Sequence, residues 1–401
     1  MTKEKKLLVI SSYPEKGLTH GKKTVGVASY SKNTLLALKK AKPDLKIVVL
    51  AEKFGKQEIY EEKGISIKRV WQRNNFFSVF KLLRQIFTNR FVPTLICFEG
   101  FMFGSFLFSG LFLTGLFLLR IIGVKPVLVL HQVVEDFNLI EKNKIKAFFL
   151  NKINFLFKEL VLASSDKVIV FEQYFKKILG NSKKAIFIPH AVEEIEMIKK
   201  EKAHKQFGFG SEKFHALYFG FLSPYKGVDL LVKNWPNTND NKLILAGDGN
   251  PNHLKEKAYA DFVKKIKSIA KKKGIITTGF VAEEKIAPLF CAADLVLLPY
   301  QVFFSSSGPL SLAFAYQKPF LLSESLKNYL ASDDFKKALE KTNLSYQEIL
   351  FDPNSKNDLE NKIANVKKKK KQFENLSRFL KESRSWSKIA KDYLTVLSLN
   401  K

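Results

Sequence analysis

Cysteine, methionine and tryptophan are all scarce, with two, three and three residues in a chain of 401. Cys97 and Cys291 lie far apart within apolar runs. That excludes a disulfide framework and any CxxC-type metal spacing, and a reducing cytoplasm is expected. Acid is also in short supply: 38 Asp and Glu face 67 Lys and Arg, a formal net charge of +29. Such a field attracts nucleic acid, anionic lipid or phosphorylated substrates. Arginine is sparse beside lysine, and the aromatic residues sit inside apolar runs rather than between basic ones. No nucleic-acid-binding signature results. Low-complexity linkers and short-period repeats are absent.

Long uncharged runs are nearly absent too. The opening MTKEKKLLVISSYP holds an apolar run, Leu7–Ile10, that is too short for a signal peptide and reads as a first strand. Phe101–Leu119 carries no formal charge and is just long enough to cross a bilayer. It is flanked by Leu95–Phe98 and Val127–His131, which both read as strands. A spanning helix between them would split one sheet across a membrane, so a buried or interfacial helix is expected.

What is present is α/β patterning, on a chain long enough for about two domains. In the first half, strands are read at Leu7–Ile10, Ile47–Ala51, Ile65–Val70, Leu95–Phe98, Val127–His131, Lys167–Phe171 and Ile186–Pro189. Helical spacing runs through Val27–Leu38, Phe76–Phe87 and Ile140–Leu162, after a first loop with Pro14, Gly17 and Gly21. Ile140–Leu162 places Lys142, Lys144, Lys146, Lys152 and Lys158 among four phenylalanines. A core helix with a solvated lysine face and a helix lying on an anionic membrane both fit. The charged segment Glu193–Glu212 reads as a surface connection. A second series follows, with strands at Ala216–Phe219, Lys242–Ala246, Ile275–Thr278, Leu295–Leu298 and Phe320–Leu322. Its helices are read at Val228–Lys233, Ala258–Lys273, Glu283–Cys291 and Pro309–Tyr316. The tail from Leu359 is helical, and Lys367–Lys371 reads as a solvated helix face.

Three strand ends in the second half carry loops suited to phosphate. After the strand ending at Gly220, a turn with Pro224 leads to Lys226-Gly227 and a helix. Lysine there offers a mobile point charge. Gly247-Asp248-Gly249 follows the next strand, and glycine lets a ligand approach the backbone. Ser305-Ser306-Ser307-Gly308 precedes a helix that starts at Pro309, where free N–H groups and the positive dipole end are found. Ligands of open α/β sheets bind at the carboxyl ends of strands, so the three loops together are far more specific than any one.

These stretches, FGFLSPYKGVDLL, LILAGDGN, TTGFVAEEKIAPLFCAADLVLLPY and SSSGPLSLAFAYQKPFL, resemble the nucleotide-sugar-binding domain of retaining glycosyltransferase family 4. The first half is similar more weakly, through SSYPEKGLTHGKKTVGVASYSKNTLLAL, VLVLHQVVEDF, KVIVFEQYFKKIL and IPHAVEE. The ending SWSKIAKDYLTVL resembles the family's final helices. The resemblance implies a GT-B fold, two Rossmann-like domains with parallel sheets facing a cleft. The expected domains are an acceptor domain (1–192), a nucleotide-sugar domain (193–384) and a helix that crosses back (385–401). It also implies sugar transfer from a nucleotide-sugar with retention, with no metal or other cofactor. By matched position, Lys226 contacts the donor diphosphate, with Gly220 beside it. Ser306, Ser307, Gly308 and Ser311 line the donor helix start, and Gly26 approaches the diphosphate or acceptor. His131 faces the transferred sugar, and Gly247 and Gly249 shape the wall near the base.

The sequence also departs from the family. Phe221 replaces an arginine that often follows the glycine matching Gly220. The paired glutamates spaced eight apart fall near Phe304 and Leu312, neither acidic. Gln317 replaces a small glycine, and Val25-Gly26 replaces a glycine pair. This is the pattern of a glutamate-free variant. The expected function is transfer to a cell-envelope glycan or lipid-linked acceptor by a cytoplasmic enzyme docked on an anionic membrane surface. Two other readings stay open: an inactive protein of this fold that binds polyanions, and a protein anchored by Phe101–Leu119.

Overall fold

The computed structural model describes residues 5–19, 26–141, 143–210, 212–236, 238–251 and 253–400. The expectations on Gly21, Val25 and Lys142 lie outside them. The chain divides into two compact units. The first holds the chain up to His190, Phe304–Ser306 and the segment from Trp386; the second holds Ala191–Phe303 and Ser307–Ser385.

The first unit is built on eight strands: β1 (Lys6–Ser11), β2 (Lys46–Glu52), β3 (Glu58–Glu62), β4 (Ile65–Trp71), β5 (Thr94–Phe98), β6 (Pro126–Leu130), β7 (Lys167–Val170) and β8 (Ala185–Phe187). Their order is β3-β4-β2-β1-β5-β6-β7-β8. All pairs are parallel except β3 with β4. β5 and β6 are buried along their whole length, as continuous apolar runs covered on both faces must be. The hairpin edge β3 was not legible in the sequence. EIYEE is polar and mostly exposed, and only the turn Lys63-Gly64, both at positive φ, betrays it.

The uncharged stretch becomes a helix, Phe106–Ile121, lying between β5 and β6 in the chain. It packs against the helices Phe76–Thr88 and Lys144–Ser164. Ser109, Phe112, Leu113 and Leu116 are buried, while Leu107, Leu118 and Ile121 are exposed. Gly115 lets the neighbouring helix come close, since a Cβ there would lie 2.2 Å from Leu83 Cδ1. Among the described residues, no helix is long and apolar enough to cross a membrane. The final helix Trp386–Val396 packs on Gly26–Ala41 within this unit, with the Tyr30 and Tyr393 hydroxyls 3.3 Å apart.

The second unit is a six-stranded parallel sheet: β9 (Phe214–Phe219), β10 (Asn241–Ala246), β11 (Ile276–Gly279), β12 (Leu295–Leu298), β13 (Phe320–Ser323) and β14 (Leu350–Phe351). Its order is β11-β10-β9-β12-β13-β14. Two expectations need correction. Glu193–Glu212 is not only a surface connection. Within it Lys200–Phe207 is a helix that buries Ala203 and His204, and the His204 Nε2 bonds the Ala292 carbonyl at 2.9 Å. The lysine run is not one solvated helix face either. It spans the break between helices Lys356–Lys368 and Lys370–Ser383. Lys369 pairs with Glu348 at 2.6 Å, Lys370 with Asp294 at 3.4 Å, and Lys367 bonds Asn241 at 2.6 Å. Composition shows charge but not its partners, which are remote in the chain.

Arg384, with its side chain 2% exposed, pairs with Asp334 at 2.6 Å, and this pairing holds the Asp334 carboxyl below the usual carboxylate range against the opposing effect of burial. Removing one member of a buried pair strands the other charge. Arg384→Ala should lower unfolding free energy by about 3–5 kcal/mol, measured by urea titration of the second unit's unfolding transition.

Candidate functional site

The strand ends of the second unit come together through glycine. Gly220, after β9, and Gly247, after β10, both have positive φ. A Cβ on Gly247 would lie 2.0 Å from the Gly220 carbonyl oxygen, so only glycine fits. The Gly220 N–H bonds the Ala246 carbonyl at 2.9 Å and the Leu222 N–H bonds the Asp248 carbonyl at 3.0 Å, locking the two turns side by side. Gly227, at φ 65°, ends a short 3-10 turn and starts the helix Val228–Asn234; a Cβ there would meet the Pro299 carbonyl at 1.9 Å. Its role follows from this contact and not from the motif FGFLSPYKGVDLL that contains it.

Lys226 is held by that turn. Its Nζ lies 2.8 Å from the position a Gly220 Cβ would take, and the Pro309 ring is 4.0 Å from the same point. Lysine, glycine turn and the start of helix Gly308–Ala315 therefore converge, as the sequence pattern anticipates. The ammonium also lies over the rings of Tyr225 and Tyr300, at 5.9 and 5.5 Å. Among the described residues it has no carboxylate partner.

The serine loop is divided in its contacts. Ser307 caps its own helix, its Oγ accepting from the Leu310 N–H at 3.3 Å and meeting the Tyr300 hydroxyl at 3.1 Å. Its backbone N–H, expected to face phosphate, is donated to the Tyr329 hydroxyl at 2.8 Å. Ser306 belongs to the first unit, where its Oγ donates to Glu172 at 2.7 Å. Gly308 is left with open space around its Cα and, among the described residues, a backbone N–H without an acceptor. Ser311 sits one turn further along, its N–H bonded to the Ser307 carbonyl. Gly249 serves packing: a Cβ there would lie 2.6 Å from Leu254 Cδ2. Beside Gly247 is a cavity of about 520 Å³, lined by Leu222, Thr277, Gly279, Lys267 and Lys271 among others.

In the first unit His131 follows β6 and is 9% exposed. Its ring packs on Tyr30 and Phe171 at 5.4 and 5.0 Å, and its Nε2 is buried without a partner among the described residues. Burial, helped by nearby His190, pulls its pKa down to about 3, so the ring is neutral at pH 7. Tyr30 and Phe171 also touch His190, at 4.6 and 5.4 Å. His131 is assigned through the resemblance of VLVLHQVVEDF; His190, three residues beyond β8 in the segment IPHAVEE, is given no role by it. Gly26, exposed at the start of its helix, has nothing within 4 Å of where a Cβ would be. Phe304, near which a family glutamate falls, accepts the Val133 N–H at 2.8 Å through its carbonyl. Among the described residues no group of three or more His, Cys, Asp or Glu side chains is placed to hold a metal ion.

The chain aligns over 98% of its length with sucrose-phosphate synthase from Thermosynechococcus elongatus, at a TM-score of 0.70 and 16% identity, covering 98% of that chain. The fold is that of the GT-B glycosyltransferases. Anabaena HepE, solved in complex with UDP-glucose, shares the GT-B fold at a TM-score of 0.64 and 15% identity, with 98% and 99% of the two chains covered. Residues 213–367 match the family described as glycosyl transferases group 1. A GDP-mannose:glycolipid 4-beta-D-mannosyltransferase of Xanthomonas campestris pv. campestris is 32% identical over 123 residues. That match spans 29% of this chain and 32% of the relative's length.

The histidines supply a pH-dependent stability. Burial and a neighbouring histidine lower the pKa of His131 to about 3 and of His215 to about 4. Below pH 6.5 the unfolded chain takes up these protons and the folded chain does not. Their contribution is thus complete above pH 6.5 and is lost as pH falls towards the folded values. Between pH 6.5 and 5, unfolding free energy should fall with pH, and His131→Phe should flatten that slope by up to about 1.4 kcal/mol per pH unit, read from urea titrations at each pH.

Proposed function

We propose that the protein transfers a hexose from a nucleotide-sugar to a membrane-borne glycan or lipid-linked acceptor, with retention at the anomeric carbon and without a metal. The observation that carries this reading is the convergence of an ammonium lacking a carboxylate partner, Lys226, with the Gly220 turn and the start of helix Gly308–Ala315. A leaving diphosphate gains negative charge as the glycosidic bond breaks. A preset cation and a helix N-terminus stabilise that charge without reorganising. Lys226 supplies the point charge and the Gly308 N–H one hydrogen bond. The cavity beside Gly247, with Lys267 and Lys271 in its wall, suits the nucleoside end of the donor. His131, neutral and dry, suits a hydrogen bond to a sugar hydroxyl rather than a charge contact.

Membrane docking fits the first unit's surface. The three packed helices Phe76–Thr88, Phe106–Ile121 and Lys144–Ser164 leave large apolar side chains in solvent. Phe77 is 81% exposed, Leu107 78% and Ile145 73%. Such apolar side chains beside the lysines of Lys144–Ser164 favour an anionic lipid surface, and the cytoplasmic leaflet provides one.

A panel of nucleotide-sugars that includes UDP-glucose and GDP-mannose should contain one that raises the melting temperature, since a ligand of the native state stabilises it. Lys226→Ala should abolish that shift and reduce transfer about 10²–10³-fold while keeping a cooperative melt. If no nucleotide-sugar stabilises the chain but heparin does, the polyanion-binding reading replaces this one. Separately, the protein should float with anionic liposomes at low salt, and the triple change Phe77→Ser, Leu107→Ser and Ile145→Ser should leave it in the soluble fraction.

A further inference from the structure

The first unit holds a cavity of about 220 Å³ at the carboxyl ends of β5 and β6. Its walls include Phe98, Leu130, Phe157, Val161 and Leu179. For scale, an apolar cavity of about 150 Å³ stays dry and binds benzene. This one has room for a stretch of hydrocarbon and little to offer water. Two of its lining residues, Phe101 and Ile140, are 53% and 43% exposed, so the apolar lining runs out to the surface. From there it continues into exposed Leu139 and Ile145 on the neighbouring turns.

Glu99, Gln132, Asn154 and Lys158 interrupt the apolar lining. Glu99 directly follows β5, and His131 directly follows β6. The two strand ends are tied by the His131 N–H bonding the Phe98 carbonyl at 3.1 Å. The Glu99 carboxyl group has no hydrogen-bond partner among the described residues, and burial raises its pKa. Lys158, on the same helix face as Asn154, Phe157 and Val161, also lines the cavity and has no ion-pair partner there. The cavity wall thus offers one acid, Glu99, and one cation, Lys158, with the amides Gln132 and Asn154.

We propose that this cavity receives the hydrocarbon chain of an anionic lipid acceptor and so places its head group at Glu99, Lys158 and the end of β6. This rests on the glycosyltransferase reading and specifies how that acceptor is held. The apolar wall selects the chain, Lys158 and the chain's net positive charge favour a negative head group, and Glu99 accepts from a head-group hydroxyl.

Decyl phosphate, kept below its micellar concentration, is the probe, with inorganic phosphate as the head-group control in calorimetric titrations of the full chain. Wild-type protein should bind decyl phosphate at least tenfold more tightly than inorganic phosphate. Val161→Phe, which fills the cavity, should remove that difference. Should that variant lose its cooperative melt, Ile140→Asp at the exposed rim carries the same expectation. Equal affinity for the two probes, or unchanged decyl phosphate affinity in a folded variant, overturns the proposal. Melting shifts with UDP-glucose and GDP-mannose report the second unit independently. Donor binding without alkyl binding overturns this inference alone, whereas alkyl binding without any donor binding leaves a lipid-binding protein and overturns the transferase reading on which the acceptor assignment rests.

Discussion

The Gly247 Cα rests against the Gly220 carbonyl with no room for a methyl group between them. Everything at the carboxyl edge of the second sheet follows from that contact. It lets the turns after β9 and β10 lie together and exchange backbone hydrogen bonds. With Gly220 itself lacking a side chain, the Lys226 ammonium occupies the space that a Cβ would block. Gly227 repeats the arrangement one turn later against the Pro299 carbonyl. Three missing side chains therefore set the position of one cation near a helix start. Backbone packed on backbone is stiff, so that cation is held before any ligand arrives, which is the condition for electrostatic stabilisation of a developing charge.

The first unit solves a different problem with the same sheet architecture. Parallel strands buried on both faces offer chemistry only where they end. His131 and Glu99 sit at two such ends, and both have environments that disfavour charge. The burial that leaves the His131 Nε2 without a partner also keeps the ring neutral. The unit's large apolar content is unevenly used. Phe98, Phe103 and Phe112 are fully buried, while Phe77, Phe91 and Leu107 are among the most exposed large residues of the chain. Of these exposed side chains, Phe77 and Leu107 are ones on which the proposed membrane docking rests.

Much of the fold was legible because its strands are short apolar runs between turn residues, a local pattern. The runs at Leu7–Ile10 and Leu295–Leu298 became strands, Val127–His131 did so up to Leu130, and the uncharged Phe101–Leu119 gave the helix Phe106–Ile121 set between strands of one sheet. The edge strand β3 escaped because an exposed strand need not alternate, and β14 because two residues carry no period. In the candidate site, strand-turn-helix grammar marked the loops that hold Gly220, Lys226 and Pro309; their convergence is a tertiary contact.

By itself, then, the sequence determined the α/β class, the strand ends that carry polar loops, and the lysine and glycines within those loops. These depend on residue type and short spacing, which the chain states directly. Only the tertiary structure decided which groups in those loops remain available. The Ser307 N–H is taken by the Tyr329 hydroxyl, Ser306 bonds Glu172, and Lys369 and Lys370 find Glu348 and Asp294. It also decided that Glu99, Phe157 and Val161 line one cavity. The reason is physical: a hydrogen bond or a cavity wall joins residues far apart in the chain, and no local pattern encodes which distant group will occupy a given donor.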